Sequence, residues 1–171
     1  MYGPNDQEHR VGILPFSSAV RFHGHICPGL AIGYYASYIA MRWLYAEQAK
    51  GMEVAVITET AGCPLDAIQV ITGCTLGKGN LIIHDHGKLT FTFVSRESGR
   101  GVRVSLKAGL YPEKLDPGLH DLQEKTKKGI ATPEESVDLQ HRIERICRTI
   151  LESPGEQMFN IREVTIRLPV C

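Results

Sequence analysis

The chain has 171 residues, of which 43% are hydrophobic, and this size suits one domain over 1–171 with a sizeable buried core. Lysine plus arginine number 19 and aspartate plus glutamate number 19, so the balanced charge predicts no general attraction to nucleic acid or to an anionic membrane. The longest apolar stretch, 30–41, is shorter than the roughly 20 residues of a bilayer span, and the N-terminus lacks the apolar core of a secretory signal. We therefore expect a cytoplasmic protein whose five cysteines are thiols, metal ligands or core residues.

Two helices are predicted first, separated by a cysteine that is followed by a proline. The serine pair Ser17–Ser18 can cap a short helix that reaches His23. Pro28, which suits the first position of a helix, starts a longer helix that runs to about Lys50. This second helix is apolar on two sides, which predicts either the central helix of the domain or half of a subunit interface.

The rest of the chain predicts strands, turns and a late helix. The predicted elements are a strand over 54–58, a helix from 63 to about 71, a hairpin of 81–85 with 88–95, a strand over 102–106, an irregular or partly helical stretch over 111–129, a helix behind the capping box Thr132–Glu135, and a last strand over 161–168. This order predicts an α+β fold with a mostly antiparallel sheet, helices packed on one face and the long helix at the centre.

The densest group of reactive side chains lies in the segment FHGHICPGL, which contains His23, His25 and Cys27. Imidazole nitrogen and thiolate sulfur are the ligands that a borderline or soft transition metal prefers. Cys27 also lies at a predicted helix start, where free N–H groups favour the thiolate, so we expect an unusually acidic thiol. These three residues predict a metal site or a reactive thiol.

A second cysteine–proline step, Cys63–Pro64, opens the next predicted helix. Its thiol lies at a helix start, as that of Cys27 does, which predicts a functional role. Asp66 falls in the first turn of the same helix, where its carboxylate either caps the backbone or takes part in proton transfer.

The segment TGCTLGKGN, residues 72–80, resembles a phosphate loop but lacks its spacing and its Ser or Thr after the lysine. It is a flexible loop with one thiol, Cys74, and one cation, Lys78, and it can hold an anionic group or approach a metal site closely. The alternative is a plain connector between a helix and a strand.

The segments 22–30, 66–69 and 72–80 together resemble FmdE, a family of formylmethanofuran dehydrogenase subunits. The resemblance implies an α+β core and a cytoplasmic archaeal or bacterial protein. It also implies a link to the molybdenum or tungsten enzyme that reduces carbon dioxide onto methanofuran, in methanogenesis-related one-carbon metabolism. Some members carry a C-terminal zinc finger, and because no paired CxxC follows Leu106, we expect the core domain alone.

The leading hypothesis is a metal-binding accessory subunit of such a redox enzyme. The metal would be held by His23 or His25 with Cys27, and by Cys63 or Cys74 from neighbouring loops. Mixed nitrogen and sulfur ligands favour zinc, with iron or nickel as alternatives. Nothing in the sequence predicts a molybdopterin site, so the large redox cofactor would belong to a partner.

Two other classes of function stay open. The chain could be a stand-alone enzyme, in which Cys27 or a metal-bound water attacks a small carbonyl compound, Asp66 or His23 moves protons and Lys78 holds an anionic group. It could instead be a metal store or chaperone without a reaction. A closed four-ligand site indicates structure or storage, whereas an exchangeable position indicates chemistry.

The long helix also predicts a homodimer. One of its apolar stripes consists of Tyr34, Tyr38, Met41 and Tyr45. A small sheet covers a single stripe, so a two-fold contact would bury the remaining one against its own copy. Tyrosine and methionine are favoured in such contacts.

Overall fold

The computed structural model describes residues 12–169, so the segment that was expected to lack a secretory signal lies outside the described residues. The helices of the described part are α1 (Phe16–His23), α2 (Pro28–Leu44), α3 (Cys63–Thr72), α4 (Pro112–Leu115), α5 (Leu119–Lys127), α6 (Pro133–Glu152) and α7 (Gly155–Met158). The strands are β1 (Val54–Thr58), β2 (Leu81–Ile83), β3 (Thr90–Ser95), β4 (Arg100–Leu106) and β5 (Phe159–Thr165). None of these helices is long and apolar enough to cross a membrane.

The strands form one sheet in the order β2-β1-β3-β4-β5. β2 runs parallel to β1, whereas every other neighbouring pair is antiparallel. The predicted hairpin of β2 with β3 is therefore wrong. Helix α3 connects β1 to β2 as a crossover, which allows parallel pairing, and the following segment then passes the end of β1. There the amides of His86 and Lys88 both donate to the carbonyl of Glu59, and β3 pairs with the other edge of β1.

The core lies between the sheet and the helices. On one face of the sheet, Val56 pairs with Phe93 and Phe93 with Val102, while the neighbouring positions Ile57 and Thr92 point to the opposite face. The residues that the strands contribute to the core on the first face are Val54, Val56, Phe91, Phe93, Val102, Val104, Leu106 and Phe159. Helices α2 and α6 pack onto them through Ile32, Ile39 and Ile150, among others. The predicted α+β fold with a mostly antiparallel sheet and helices on one face is confirmed.

Helix α2 is the central helix of the molecule, because every residue from 30 to 41 is buried. It ends at Leu44, earlier than the predicted end near Lys50. Tyr45 adopts a left-handed conformation with φ of 51°, and its amide donates to the carbonyls of Arg42 and Met41. No glycine or proline interrupts the sequence between this residue and Gly51, but a left-handed cap ends the helical hydrogen bonding.

The aromatic stripe that suggested a homodimer is buried within one chain. Tyr34 and Met41 are 6% and 1% exposed, and Tyr38 is 8% exposed. Phe16 of α1 packs edge-on against Tyr34 with 5.2 Å between ring centroids. Of the four residues in the stripe, Tyr45 alone faces solvent, at 88%, because it lies at the cap. The sequence pattern does not reveal all the covering layers, since the short helix α1 and helix α3 both pack on α2.

Helices α2 and α3 approach each other closely at a glycine. A Cβ atom on Gly33 would lie 2.3 Å from the carbonyl oxygen of Pro64, and one on Gly29 would lie 3.1 Å from the Cβ atom of Cys63. Only glycine permits this approach of the two backbones. The crossing therefore places the start of α3 beside the start of α2.

A second contact fixes the segment that contains α4 and α5 onto α6. The side chain of Asp116 is 9% exposed and accepts hydrogen bonds from Arg142 at 2.8 Å and Arg145 at 3.1 Å. Burial alone raises the pKa of this carboxyl, but the two guanidinium groups outweigh it and hold the pKa below its ordinary value. Helix α6 itself begins at the predicted capping box, in which Thr132 and Glu135 bond reciprocally.

Candidate metal centre

The two histidines meet because the chain reverses direction between them. Helix α1 ends at His23, and Gly24 follows in a left-handed conformation with φ of 91°. The amide of Gly24 donates to the carbonyl of Val20, which closes the last turn of the helix. The reversal places the ring of His25 4.4 Å from that of His23, measured between centroids.

Cys27 caps the N-terminus of α2 with its sulfur. The Sγ atom accepts a hydrogen bond from the amide of Leu30 at 3.4 Å, and Pro28 occupies the first turn. The same Sγ atom lies 3.6 Å from Nε2 of His23. One ligand atom from each of His23, His25 and Cys27 lies within 4.8 Å of the other two. The structure therefore brings together all three residues of the first predicted cluster.

Asp66 reaches the same place from α3. Its Oδ2 atom accepts a hydrogen bond from Nδ1 of His23 at 2.7 Å, although the two residues are 43 positions apart in sequence. The His23 side chain is 10% exposed, so this bond fixes the orientation of a buried ring. Since a carboxylate only accepts, Nδ1 carries a hydrogen and Nε2 faces Cys27. Asp66 therefore contacts the reactive cluster and makes no side-chain cap hydrogen bond at the start of α3, while its part in proton transfer stays a prediction.

Cys63 lies beside Cys27 at the start of α3. It is the first residue of the helix, with Gly62 rather than the cysteine at the cap position. Burial, followed by interaction with the Cys63 thiol, raises the pKa of the Cys27 thiol to about 11, although the Leu30 amide acts in the opposite direction. The expectation of an acidic thiol in the metal-free protein is therefore wrong. At this helix start the effect of burial on the thiol pKa outweighs that of the backbone amides.

Cys74 and Lys78 lie far from this cluster. They follow the C-terminal end of α3, and the ten residues of that helix span about 15 Å from Cys63. Cys74 is fully buried and donates from Sγ to the carbonyl of Val54 at 3.3 Å. The ammonium group of Lys78 donates to the carbonyl of Ala49 at 2.8 Å. The structure thus does not bring either side chain to the predicted metal or catalytic site.

The loop over 72–80 serves as a structural connector. The amide of Thr75 donates to the side chain of Asn80 at 2.9 Å, and the amide of Lys78 donates to the Thr75 hydroxyl at 3.2 Å. Asn80 is fully buried and donates in turn to the carbonyls of Gly51 and Val54. Because these groups bond within the protein, the connector alternative is the one that the structure favours.

A cleft opens beside Cys27 and Cys63. Its volume is about 460 Å³, within the range of small-molecule sites. The starts of α2 and α3 form one wall, and the segment over 112–123 forms the other. The lining residues are Cys27, Pro28, Gly29, Cys63, Pro112, Glu113, Leu119, His120 and Gln123.

Sequence reasoning missed the second wall of this cleft. Glu113, His120 and Gln123 lie in a stretch that carries no recognisable motif, so no sequence signal identified them. It also missed the direct link between His23 and Asp66. One signal in the sequence pointed to this contact: His23 and Asp66 both lie in segments that carry the family resemblance.

The fold and this cluster define an α+β protein in which two crossed helix starts present thiol groups to a cleft, with two imidazole groups beside one of the thiols. More particularly, the chain belongs to the FmdE family. The family model described as "FmdE, Molybdenum formylmethanofuran dehydrogenase operon" matches residues 22–160. The resemblance found in the sequence is therefore confirmed, and the match extends well beyond the three segments that carry it.

Two further proteins are similar to this chain. A crystal structure of an FmdE-like protein of tungsten formylmethanofuran dehydrogenase from Syntrophus aciditrophicus aligns with a TM-score of 0.56 and 26% identity, over 88% of this chain and 70% of that one. A probable S-adenosyl-L-methionine-binding protein from Archaeoglobus fulgidus is 45% identical over 94 residues. That match spans 53% of this chain but 26% of the archaeal protein, so the chain covers about a quarter of that relative.

Proposed function

We propose that this FmdE-family protein binds one transition metal ion through His23, His25 and Cys27. The single observation that carries the proposal is the convergence of these three ligand atoms within 4.8 Å. Zinc bound at about 2.0–2.3 Å from each ligand requires ligand atoms about 3.3–3.8 Å apart, and the 3.6 Å between Cys27 Sγ and His23 Nε2 meets this requirement. The exposed ring of His25 has room to rotate toward them.

The surroundings of the three residues support a metal site. Histidine ligands in proteins commonly donate their second ring N–H to a carboxylate, which orients the ring, and Asp66 accepts such a bond from His23. A bound cation also stabilises the thiolate of Cys27, which burial disfavours in the metal-free protein. Zinc is the proposed ion, with iron or nickel as alternatives, because the donor set mixes nitrogen and sulfur.

Three protein ligands leave a coordination position that is not filled by these residues. Catalytic zinc sites have this composition, whereas structural sites are closed by a fourth protein ligand. Cys63 lies beside Cys27 but outside the three-residue group, so it is the candidate for closing the site. We propose an open site, because Cys27 lines the cleft and a small molecule can approach it there.

Within the cell, we propose that the protein acts with a molybdenum or tungsten redox enzyme of one-carbon metabolism in the cytoplasm. Membership of a family described by the formylmethanofuran dehydrogenase operon supports this link. The second candidate is a stand-alone enzyme acting on a small carbonyl compound. The chain of contacts from Cys27 through His23 to Asp66 favours it, because a thiol, a base and an orienting carboxylate is the arrangement of a nucleophilic site.

Metal analysis tests the proposal. The untagged protein, expressed with zinc, iron and nickel in the medium, should contain about one metal ion per chain, as judged by mass spectrometry of the elements. Cys27→Ser and His25→Ala should lose most of it, because a hydroxyl or a methyl group replaces a strong ligand. Cys74→Ser and His86→Ala are the matched controls, since both residues lie outside the cluster. A folded wild-type protein without metal would refute the proposal.

Cobalt substitution distinguishes an open site from a closed one. Cobalt(II) in place of the native ion should give a thiolate-to-metal absorption band that is absent from Cys27→Ser. Added azide should shift the visible bands if a coordination position exchanges with solvent. A spectrum that is insensitive to azide in the wild type, but sensitive in Cys63→Ser, would indicate a closed site and a storage or structural role.

A further inference from the structure

The cleft beside the metal centre has walls of different chemistry. The thiol wall contains the two cysteines at the starts of α2 and α3. The opposite wall contains Leu119, which is 3% exposed, and Pro112, which give it an apolar surface. Three polar side chains, Glu113, His120 and Gln123, also line it. An apolar cleft with a few polar groups is the usual form of a small-molecule site.

The charge of the cleft has one sign. Among the described residues that line it, Glu113 is the only acidic one, and none is a lysine or an arginine. Of the basic groups near this wall, Arg142 bonds Asp116, Lys125 forms an ion pair with Glu135, and Lys114, the neighbour of Glu113 in the chain, does not line the cleft. His120 lies on the same wall, with the Asp121 carboxylate 3.8 Å from its Nδ1 atom. On the thiol side, Asp66 adds a second carboxylate behind His23. The arrangement favours a cation over an anion.

We propose that this cleft binds a small organic cation, with an apolar body, whose positive group pairs with Glu113. The described hydrogen bonds and ion pairs give the side chains of Glu113 and Gln123 no partner within the protein, so both are available to a ligand. Leu119, Pro112 and Pro28 contact the apolar body. The other end of the ligand reaches Cys27 and the proposed metal site. Any reaction of the ligand at that end rests on the proposed function.

The cleft thus has the opposite charge preference to the one that the sequence suggested. The lysine expected to hold an anionic group lies beyond the far end of α3 and bonds the carbonyl of Ala49. An anion in the cleft would instead lie beside Glu113, with no cationic side chain among the described residues of the lining. Ligand selection here therefore depends on the sign of the charge at Glu113.

The test uses three thiol reagents of different charge, of which the cationic and the anionic one are similar in size and the neutral one is smaller. They are 2-(trimethylammonium)ethyl, 2-sulfonatoethyl and methyl methanethiosulfonate. In each reaction the thiolate attacks the reagent's sulfenyl sulfur, a mixed disulfide forms and methanesulfinate leaves. Rates at Cys27 and Cys63 are measured separately by peptide mapping of metal-free protein in chelator. The ratio of the cationic to the anionic rate cancels any change in thiol pKa, and the same ratio in urea supplies the reference.

The folded wild type should favour the cationic reagent about three- to tenfold relative to the urea reference at ~0.1 M salt. Glu113→Gln should remove this preference, because it removes the negative charge, and Glu113→Lys should invert it, because it places a positive charge at that position. Asp121→Asn is the matched control: it removes an exposed carboxylate on the same wall that does not line the cleft, and should leave most of the preference.

Three results would overturn the proposal. They are a faster anionic reaction in the wild type, a ratio that Glu113→Gln and Glu113→Lys leave unchanged, and protection of both thiols from all three reagents in the folded protein. Since the labelling contains no metal, its outcome is independent of the metal analysis. Failure of the charge preference would therefore leave the metal site standing, and a metal-free protein would leave the charge preference measurable.

Discussion

His23 illustrates how a single side chain can serve two contacts. One ring nitrogen donates to Asp66 at 2.7 Å, and the other lies 3.6 Å from the sulfur of Cys27. The carboxylate thereby fixes the orientation of the ring that the proposed metal site uses. A residue in this position acts through the histidine and not on the metal itself.

Asp66→Asn should weaken metal affinity about 10–100-fold without abolishing binding, which is the usual effect of losing a carboxylate behind a histidine ligand. Cys27→Ser should weaken it further, because it removes a ligand. Competition with a chromophoric chelator measures both, and Asp121→Asn serves as the control because its carboxylate lies outside the cluster. Equal affinities for Asp66→Asn and the wild type would show that Asp66 does not position the ligand.

At the scale of the elements, the crossing of α2 with α3 brings the site together. Gly33 faces the backbone of Pro64, and the same contact fixes the position of Cys63 and Asp66 relative to α2. Helix α3 thus carries two site residues into contact with residues from α1 and α2. The arrangement of these side chains therefore depends on the packing of α2 against α3.

Gly33→Ala should destabilise the protein by about 1–3 kcal/mol, because overpacking against a rigid backbone carbonyl outweighs the gain in helix propensity of about 1 kcal/mol. Chemical denaturation measures the free energy of unfolding. Gly109→Ala is the control, since a Cβ atom there meets nothing within 4 Å. Gly33→Ala should also lose metal affinity, because the overpacking displaces α3 from α2. An unchanged or increased stability would show that the two helices separate without cost.

The ion pairs of Asp116 hold the outer wall of the cleft to α6, and they make a pH-dependent contribution to stability. The folded-state pKa of this carboxyl is depressed, so its stabilisation is present above the unfolded pKa of about 3.9 and is lost as the pH falls through the folded value. Asp116→Asn should therefore cost about 1–2 kcal/mol at neutral pH, and the difference from wild type should shrink below about pH 4. Urea denaturation at a series of pH values measures it. A difference that persists unchanged into acid would assign the effect to packing.

For the whole molecule, the central question is which surfaces remain for a partner. The stripe of Tyr34, Tyr38 and Met41 belongs to the interior of one chain, so it offers no contact to a second copy. The homodimer stays a prediction, but the reason first given for it does not hold. The exposed cleft and the exposed side of α6 are surfaces that the fold leaves accessible.

Met41→Ala should reduce the free energy of unfolding by about 2–5 kcal/mol, as truncation of a buried core side chain does, and by the same amount at every protein concentration. Sedimentation of the wild type at micromolar concentration measures the oligomeric state, with a monomer at 19.0 kDa. A destabilisation that depends on protein concentration, together with about twice the monomer mass in sedimentation, would restore the stripe as an interface.

Local signals in the sequence determined most of the elements and half of the site. The capping box at Thr132, the proline at position 28 and the histidine–cysteine spacing depend on neighbours within a few residues, so they survive without tertiary information. The family pattern was also readable, because it consists of rare local motifs. The predicted hairpin of β2 with β3 was wrong because two consecutive strands need not pair with each other. Both pair with β1, one at each of its edges.

Only the tertiary structure decided which of the candidate residues meet. Cys63 and Cys74 lie at opposite ends of α3, and a helix is rigid, so only one of them can lie beside Cys27. The folded chain likewise decided the pKa of Cys27, because burial and a neighbouring thiol outweigh the helix start that the sequence reveals. The charge of the cleft depends on Glu113, which lies opposite the two cysteines. The segment that contains Glu113 is held to α6 by the hydrogen bond from Arg142 to Asp116. These are contacts between distant parts of the chain, and no local pattern specifies them.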